Sequence, residues 1–445
     1  MKLTTLNKIG LIFTLMLLLQ GCVDNHAADR SLEKSRNQKW LEDITYFQNE
    51  YLTGSETFPD DSLASCKLIL SNLKSQIDSL SDPQIILQLS KCVAMADNGH
   101  TVIPLGFMSK IPLRFYRFSN GLHIIKSDSA SKEYLGAKVL EINSIEISEV
   151  EQKLKPYLPG IERWKEFKMT DYLNSPEILN GIGLSDPNSM TLTLLKGIDT
   201  LKASFDTKEI EDIYYGNWAD LYPSDDDTDW KHLLNANSTK PLYLERMQEG
   251  VFYEFDDTEK LAYFGINGYW DTADDFKGEI KEFINELKTK TDYDVVCDLR
   301  YFTGGNYIIP VDLATEPPKI IDSDKNIYLV TSNMTFSAGL VTAARIKYYA
   351  GDKIVVVGEE VGDRLKFWAE RDMYRMPNSE ITIADANAEH DWQDDSFTFG
   401  KTFWVNSFYG VAAKDLHLDK EIKLSFEDYL NGKDPILNWI LADVK

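Results

Sequence analysis

Short apolar runs alternate with helical patterns over the second half of the chain. Residues 327–330 have the length of a buried strand, and after a polar turn the apolar residues recur at helical spacing. Gly351 can end that helix in the left-handed conformation. The same pattern predicts three further strands and one helix, at residues 261–266, 295–299, 354–357 and 276–287. Alternation of this kind predicts a parallel sheet covered by helices.

Different patterns precede this region. Residues 40–99 are predicted to be helical, and the clearest helix begins at Asp82 and ends at Gly99. Residues 102–207 change to short strands with one helix. The strands include residues 122–126, 138–142 and 190–195, and the helix covers residues 148–158. The sequence therefore predicts a helical segment and a β-rich segment before the α/β region.

Ser337 stands where the strand at residues 327–330 gives way to the following helix. A side chain there lies at the carboxyl edge of the sheet, where active sites of open parallel sheets are found. The free N–H groups of the first helical turn point at whatever that side chain attacks. Position alone allows two interpretations: a nucleophile beside an oxyanion site, or a serine that only caps the helix.

A serine hydroxyl is a weak nucleophile near neutral pH and needs a base. Two of the six histidines have suitable settings: His100 in a glycine-flanked turn after a predicted helix, and His390 in a predicted loop. The other four lie in a polar N-terminal segment, in strand patterns or after an acidic segment: His26, His123, His232 and His417. The turn setting favours His100 as the base.

The pair Gly304-Gly305 follows the predicted strand at residues 295–299. Such a pair either makes a tight turn or brings backbone N–H groups close to a substrate carbonyl as an oxyanion hole. The sequence has no HExxH pattern, no spaced cysteine or histidine cluster and no phosphate-loop motif. We therefore expect no metal or cofactor.

The N-terminus has the pattern of a bacterial lipoprotein signal. Lys2 and Lys8 flank the start, and residues 9–19 form a short apolar core. Residues 19–22, LQGC, resemble a lipobox, which implies cleavage before Cys22 and lipid attachment to its sulfur. An ordinary signal peptide with a free Cys22 is the alternative. The formal net charge of −24 disfavours nucleic acid and anionic lipid surfaces as partners.

Three cysteines remain beyond the signal. Cys66 and Cys92 lie on neighbouring predicted helices, where they either form the disulfide that export permits or pack as small apolar residues. Cys297 lies inside a strand pattern and is predicted to be buried.

Five motifs, taken in order, resemble the tail-specific, or C-terminal-processing, serine protease family. They are DNGHT at 97–101, a PDZ-like stretch beginning GAKVLEIN at 136–143, CDLRYFTGGN at 297–306, TFSA at 335–338 and VGE at 357–359. The resemblance implies an α/β fold with a crotonase-like core, a PDZ-like β-rich domain and an N-terminal helical domain. It also implies Ser337 as the nucleophile, with oxyanion N–H groups from Gly305 and Ala338.

The family has a lysine branch and a histidine branch. In the lysine branch the base follows the serine in a Gly-Lys-Gly-like turn, but the matching residues 361–365, VGDRL, have no lysine at that place. The other branch, similar to the tricorn core protease, takes a histidine from the N-terminal helical part, and His100 matches it. Gly99 stands where the tricorn type has a serine, and the acid of this branch has no clear match.

An acid that orients His100 is expected, because a carboxylate on the second ring nitrogen fixes the tautomer and stabilises the imidazolium. Glu370 ranks first, since it follows the glycine turn that borders the site in relatives and has large apolar neighbours. Asp391, beside a tryptophan, ranks second. Glu359 and Glu360, at the end of the strand after the serine helix, are further candidates.

We therefore predict an exported, lipid-anchored serine endopeptidase of this family that cleaves peptide or protein substrates. Its place is the cell envelope, on a bacterial membrane and facing the periplasm or exterior, and the PDZ-like domain is expected to bind a substrate chain end by strand addition. The alternatives are a non-catalytic ligand- or peptide-binding lipoprotein on the same scaffold and a structural lipoprotein of an envelope complex. The predicted division is a signal peptide at 1–21, a tether at 22–39, the helical domain at 40–101, the PDZ-like domain at 102–207, an acidic linker at 208–243 and the core at 244–445.

Overall fold

The computed structural model describes residues 34–208, 221–222, 230–235, 237–268 and 273–444. These residues form a mixed α/β fold with a seven-stranded sheet, a six-stranded sheet and two small two-stranded sheets. The predicted signal peptide and Cys22 lie outside the described residues, and so does much of the acidic segment. Within the described ranges no helix is long and apolar enough to cross a membrane.

Residues 34–101 form four helices: α1 (Arg36–Tyr46), α2 (Leu52–Gly54), α3 (Asp60–Gln76) and α4 (Asp82–Ala94), with a π-helical turn (Phe47–Tyr51) between α1 and α2. The first helix begins inside the predicted tether because Ser35 and Gln38 form a capping box. Cys66 on α3 and Cys92 on α4 form a disulfide, with their Cα atoms 5.0 Å apart. The helical prediction is confirmed for this segment, and the two cysteines are bonded rather than merely packed.

The seven-stranded sheet is antiparallel, with its main strands in the order β1-β2-β3-β5-β6 and two short strands at its margins. The strands are β1 (Leu113–Phe118), β2 (Gly121–Asp128), β3 (Lys138–Ile142), β4 (Ile145–Glu146), β5 (Ser189–Lys196), β6 (Asp199–Asp206) and β7 (Trp230–His232). Between β4 and β5 the chain forms α5 (Ile147–Leu154), a 3₁₀ turn (Lys155–Tyr157), α6 (Glu162–Leu173) and α7 (Pro176–Gly181), and a further 3₁₀ turn (Ser129–Tyr134) follows β2.

The sequence predicted one helix in this region, but the structure has three in the described residues 147–181. The helix α6 was missed because Trp164, Phe167, Met169 and Leu173 are all buried and point to different sides of it. Such a helix has no single apolar stripe, so helical periodicity does not mark it.

The six-stranded sheet carries the predicted alternation of strand and helix. Its part of the chain contains β8 (Val251–Asp256), β9 (Leu261–Ile266), β10 (Asp294–Asp298), β11 (Ile327–Thr331), β12 (Ile354–Gly358), β13 (Lys366–Ala369), β14 (Asp372–Arg375), β15 (Thr382–Asp385), β16 (Ala388–Asp391) and β17 (Lys420–Glu421). The sheet order is β17-β12-β11-β10-β9-β8, parallel throughout except for β8. Every residue of β9, β10 and β11 is buried, as expected for parallel strands covered on both faces. The prediction of a covered parallel sheet is therefore confirmed.

The helices of this region are α8 (Leu242–Glu245), α9 (Ala273–Leu287), α10 (Val311–Thr315), α11 (Pro317–Ile320), α12 (Ala338–Ala350), α13 (Phe426–Leu430) and α14 (Pro435–Asp443), with 3₁₀ turns at Gly351–Lys353 and Trp404–Phe408. The helix α12 follows the predicted serine, and ten of its residues are buried: Ala338, Gly339, Leu340, Val341, Thr342, Ala343, Ala344, Arg345, Ile346 and Ala350. Such a helix provides a rigid support for a side chain placed at its start.

Residues 366–391 form two nested antiparallel strand pairs, because β13 pairs with β16 and the intervening β14 pairs with β15. We call residues 366–391 the arm. Near its far end, the backbone N–H groups of Asn378 and Ser379 each donate to the carboxylate of Asp43 on α1, at 2.8 Å. His390, expected in a loop, lies in β16. The arm thus fastens the N-terminal helices to the region that contains the six-stranded sheet.

Candidate active site

Ser337 occupies the turn between β11 and α12 with φ 51° and ψ −120°. A positive φ is uncommon for a residue with a side chain, and such backbone strain costs of order 1–3 kcal/mol. The hydroxyl makes no cap hydrogen bond to α12, so the helix-cap interpretation does not account for this serine. Strain at a strand-to-helix turn, with a hydroxyl that does not cap the helix, is a feature that nucleophile elbows also have.

The Gly304-Gly305 turn lies beside this serine. A Cβ added to Gly304 would lie 3.5 Å from the Cβ and 3.8 Å from the Oγ of Ser337. Gly305 has φ 127°, a conformation that residues with side chains rarely adopt. A Cβ on Gly339, in the first turn of α12, would overlap the carbonyl oxygen of Phe302. The glycines therefore allow the turn and the helix start to approach closely, as oxyanion N–H groups from Gly305 and Ala338 would require.

His100 reaches the same place from the N-terminal part of the chain. Its ring stacks on Phe336, the residue before Ser337, with centroids 4.4 Å apart, and on Phe367 of the arm at 5.5 Å. The side chain is buried, and neither ring nitrogen has a hydrogen-bond partner among the described residues. Burial lowers the pKa of His100 to about 3, with smaller contributions from the charges of Arg371 and His390. The imidazole is therefore neutral near pH 7, which is the form that can accept a proton.

Asp363 is the carboxylate that faces His100. Its Oδ2 lies 4.0 Å from His100 Nδ1 and has no hydrogen-bond partner among the described residues, whereas its Oδ1 accepts the Arg364 N–H at 2.8 Å. Burial raises the pKa of Asp363 to about 7. The ranking of acids missed this residue, although it stands in the glycine turn where the lysine branch would place its base. The position of Asp363 in that turn was the sequence signal that could have identified it.

The two carboxylates ranked from the sequence lie elsewhere. Oε1 of Glu370 is 3.5 Å from Nε2 of His390, and the Glu370 side chain is 42% exposed. Asp391 accepts the backbone N–H groups of Gln393 and Asp394 and the hydroxyl of Ser396, which makes it the centre of a turn. No contact described in the structure joins either carboxylate to His100.

His390 belongs to a second polar group on the other side of Phe367. Its ring stacks on Phe367 at 5.1 Å, and its Nδ1 lies 3.0 Å from the amide nitrogen of Asn406. Asn406 in turn accepts the hydroxyl of Tyr307 at 3.1 Å. His390 therefore has a hydrogen-bond partner on Nδ1, in contrast to His100, whereas its Nε2 has none among the described residues.

These rings form one continuous row, which we call the aromatic column. Its order is Trp164, Phe336, His100, Phe367, His390 and Phe403, with successive centroids 3.8, 4.4, 5.5, 5.1 and 5.4 Å apart. The members come from α6, from the serine turn, from the loop after α4, from the arm and from the segment that follows the arm. The column therefore joins the serine turn and the loop that carries His100 to α6 and to the arm.

No family model and no curated protein sequence matches this chain. Among solved structures, mature CPAF complexed with lactacystin is 11% identical and matches over 92% of this chain and 97% of its own, with a TM-score of 0.56. A serine-to-alanine mutant of CPAF is 10% identical and matches over 92% of this chain and 96% of its own, with a TM-score of 0.53. The photosystem II D1 C-terminal processing protease, 11% identical, covers 87% of this chain and 93% of its own at a TM-score of 0.35. The chain therefore shares the overall fold of CPAF.

Proposed function

We propose that this protein is a serine endopeptidase in which Ser337 attacks a peptide carbonyl and His100 is the general base. The observation that carries the proposal is the strained Ser337 at the start of a buried helix, with an uncapped hydroxyl and a neutral histidine packed on the preceding residue. Neither the strain nor the unpartnered ring nitrogens of His100 serves the stability of the fold. Features that are costly for stability are concentrated at functional sites.

The proposed reaction has two halves. The Ser337 oxygen bonds to the carbonyl carbon while its proton passes to His100, and the oxyanion is stabilised by the N–H groups of Gly305 and Ala338. His100 then gives the proton to the leaving amine as the C–N bond breaks. Water repeats the sequence on the acyl-enzyme and releases the carboxylic acid product. No metal or other cofactor enters either half.

We assign the orienting role to Asp363 in place of Glu370 and Asp391. Its separation of 4.0 Å from His100 Nδ1 is long for a hydrogen bond, but catalytic hydrogen bonds often tighten only when substrate binds. A carboxylate at this position would hold the proton on Nδ1 and leave Nε2 free to accept the serine proton. Both groups are buried and have few other partners, so their interaction is not weakened by water.

Export and lipid anchoring at Cys22 complete the proposal. The disulfide between Cys66 and Cys92 supports it, since disulfides persist in oxidising compartments outside the cytosol. The partners are then peptide or protein substrates and the membrane that holds the lipid. Mass spectrometry of the mature protein should find a diacylglycerol on Cys22, and an unmodified mature N-terminus at another residue would contradict the anchor.

The test of the peptidase is labelling by a fluorophosphonate probe, followed by hydrolysis of an unstructured protein such as casein. We expect the wild-type protein to label at Ser337 and the Ser337→Ala variant to fold normally without labelling. A non-catalytic binding protein on the same scaffold would remain unlabelled in both forms. Labelling that persists in Ser337→Ala would assign the nucleophile to another serine.

A further inference from the structure

The loop that carries His100 is held from two sides by residues beyond the six-stranded sheet. On one side, the guanidinium of Arg364 bonds the carboxylate of Asp97 at 2.7 Å and its carbonyl oxygen at 3.1 Å. On the other side, Val102 and Ala384 of the arm exchange two backbone hydrogen bonds of 2.9 Å. The loop is therefore joined to the arm by an isolated antiparallel β-bridge.

Thr101, the residue after His100, is fully buried at this junction. Its hydroxyl oxygen accepts the backbone N–H of Ala386 at 3.2 Å and the side-chain amide of Asn98 at 3.1 Å. Burial raises the pKa of Asp385, and the same Thr101 hydroxyl is close enough to help lower it again. The two donors at fixed positions and the nearby carboxylate restrict the orientation of the hydroxyl.

Asp385 extends this junction into the N-terminal helices. The carboxylate is only 2% exposed, and its Oδ1 accepts the hydroxyl of Ser55 at 2.9 Å and that of Thr57 at 3.3 Å. One carboxylate on the arm thus gathers hydroxyls from the segment after α2 and from the residue next to His100. A buried carboxylate is costly unless such donors surround it.

We infer that Thr101 and Asp385 are positioning residues that fix the His100 ring in line with Ser337. The inference rests on the proposed function, in which His100 is the base. The ring has no hydrogen-bond partner within the described part of the chain, so stacking sets its plane but leaves its rotation and depth to the backbone. The Thr101–Asp385 network fixes that backbone to the arm. A displacement of 1 Å can cost about a hundredfold in rate, so a network outside the reacting atoms can control catalysis.

The decisive variants change the Thr101 hydroxyl at nearly constant shape. Thr101→Val removes the oxygen and leaves the Ala386 N–H and the Asn98 amide without their acceptor, whereas Thr101→Ser keeps the oxygen. Asp385→Asn provides a second, milder change that keeps one carbonyl oxygen. Asp372→Ala is the matched control, because Asp372 is the exposed cross-strand neighbour of Asp385 on the same arm.

The measurement is the rate of fluorophosphonate labelling as a function of probe concentration. For Thr101→Val we expect the maximal labelling rate to fall by tenfold or more with an unchanged half-saturating concentration, while Thr101→Ser and Asp372→Ala stay within threefold of wild type. A network that served stability alone would lower the melting temperature of Thr101→Val but leave the labelling rate of the folded protein unchanged. That result overturns the inference and leaves the proposed function intact. If Thr101→Val does not fold, Asp385→Asn decides, and a wild-type labelling rate in Asp385→Asn overturns the inference in the same way.

Amide hydrogen exchange separates the two proposals if the wild-type protein fails to label. The Val102 N–H, bonded to Ala384, should exchange faster in Thr101→Val than in Thr101→Ser, because the loop is released from the arm. Faster exchange without any labelling would support the Thr101–Asp385 network and reject the proposed peptidase activity. Equal exchange in the two variants would reject the network itself.

Discussion

Two buried clusters of ionisable side chains lie near the carboxyl ends of the parallel strands, and they are built in opposite ways. Arg300, just after β10, donates from Nε to the Asp298 carboxylate at 2.8 Å and from Nη2 to the Asp434 carboxylate at 2.9 Å. Both acids accept further backbone N–H groups. The pair of His100 and Asp363 is equally buried, yet the two ring nitrogens and one carboxylate oxygen have no hydrogen-bond partner among the described residues.

The difference separates a structural cluster from a reactive one. In the Arg300 cluster the charges satisfy each other, so the desolvation cost is offset within the fold. In the His100 cluster the ring nitrogens and one carboxylate oxygen are without partners among the described residues. A group that must receive a proton during a reaction needs such an unoccupied nitrogen. Buried polar atoms without partners are rare in proteins, and each calls for an explanation of this kind.

The largest effect is expected when His100, the proposed base, is replaced. His100→Gln should lower the labelling rate of Ser337 by about 10²- to 10⁴-fold, the usual contribution of a general base. His390→Gln is the matched control, since it alters the other buried histidine of the aromatic column. Probe kinetics on both variants measure the difference. If His390→Gln is the crippled variant, the base has been assigned to the wrong histidine.

Replacement of Asp363, the acid of the His100 cluster, should give the next largest effect. Asp363→Asn is expected to lower the labelling rate by about a hundredfold, because the Nδ1 tautomer of His100 is no longer selected. Glu370→Gln, which changes a half-exposed partner of His390, should stay close to wild type. Thermal denaturation of each variant checks that the fold is kept. An inactive Glu370→Gln beside an active Asp363→Asn would restore the original ranking of the acids.

Breaking the Arg300 cluster should lower the stability of the fold instead of the labelling rate. Arg300→Ala leaves two buried carboxylates unpaired, which typically costs about 3–5 kcal/mol of unfolding free energy. Arg364→Ala is the control, because its pair with Asp97 is half exposed and such pairs contribute about 0–1 kcal/mol. Urea denaturation gives both values. Equal losses in the two variants would remove the contrast between buried and exposed pairs.

The smallest effect concerns pH. Since the pKa of His100 is lowered to about 3, its neutral form persists at pH 5, and its protonation cannot reduce the rate between pH 8 and pH 5. The pKa of Asp363 is raised to about 7, so acidification through that pH adds a proton to it and should lower the rate. Asp363→Asn should abolish this dependence. A decline through the same range that persists in Asp363→Asn would instead show that His100 titrates there.

Periodicity was enough to predict the parallel sheet, the helix after Ser337 and the helical segment before His100. The serine and glycine turns were also found, because they follow apolar strands directly in the sequence. The roles of Asp363 and of the Thr101–Asp385 network were not found from the sequence, since both depend on contacts between the loop after α4 and residues far along the chain. The arm escaped prediction for the same reason: its strands are short, and what defines them is pairing with each other and with the N-terminal helices.

The aromatic column also gives the protein an optical reporter of its own assembly. Trp164 is stacked on Phe336 with centroids 3.8 Å apart and nearly parallel rings, so its emission depends on whether α6, the serine turn and the histidine loop are in place. The chain has nine tryptophans, and the signal of this one is obtained as the difference between wild type and Trp164→Phe. That difference follows the docking of three distant segments in solution, without substrate and without any chemical step.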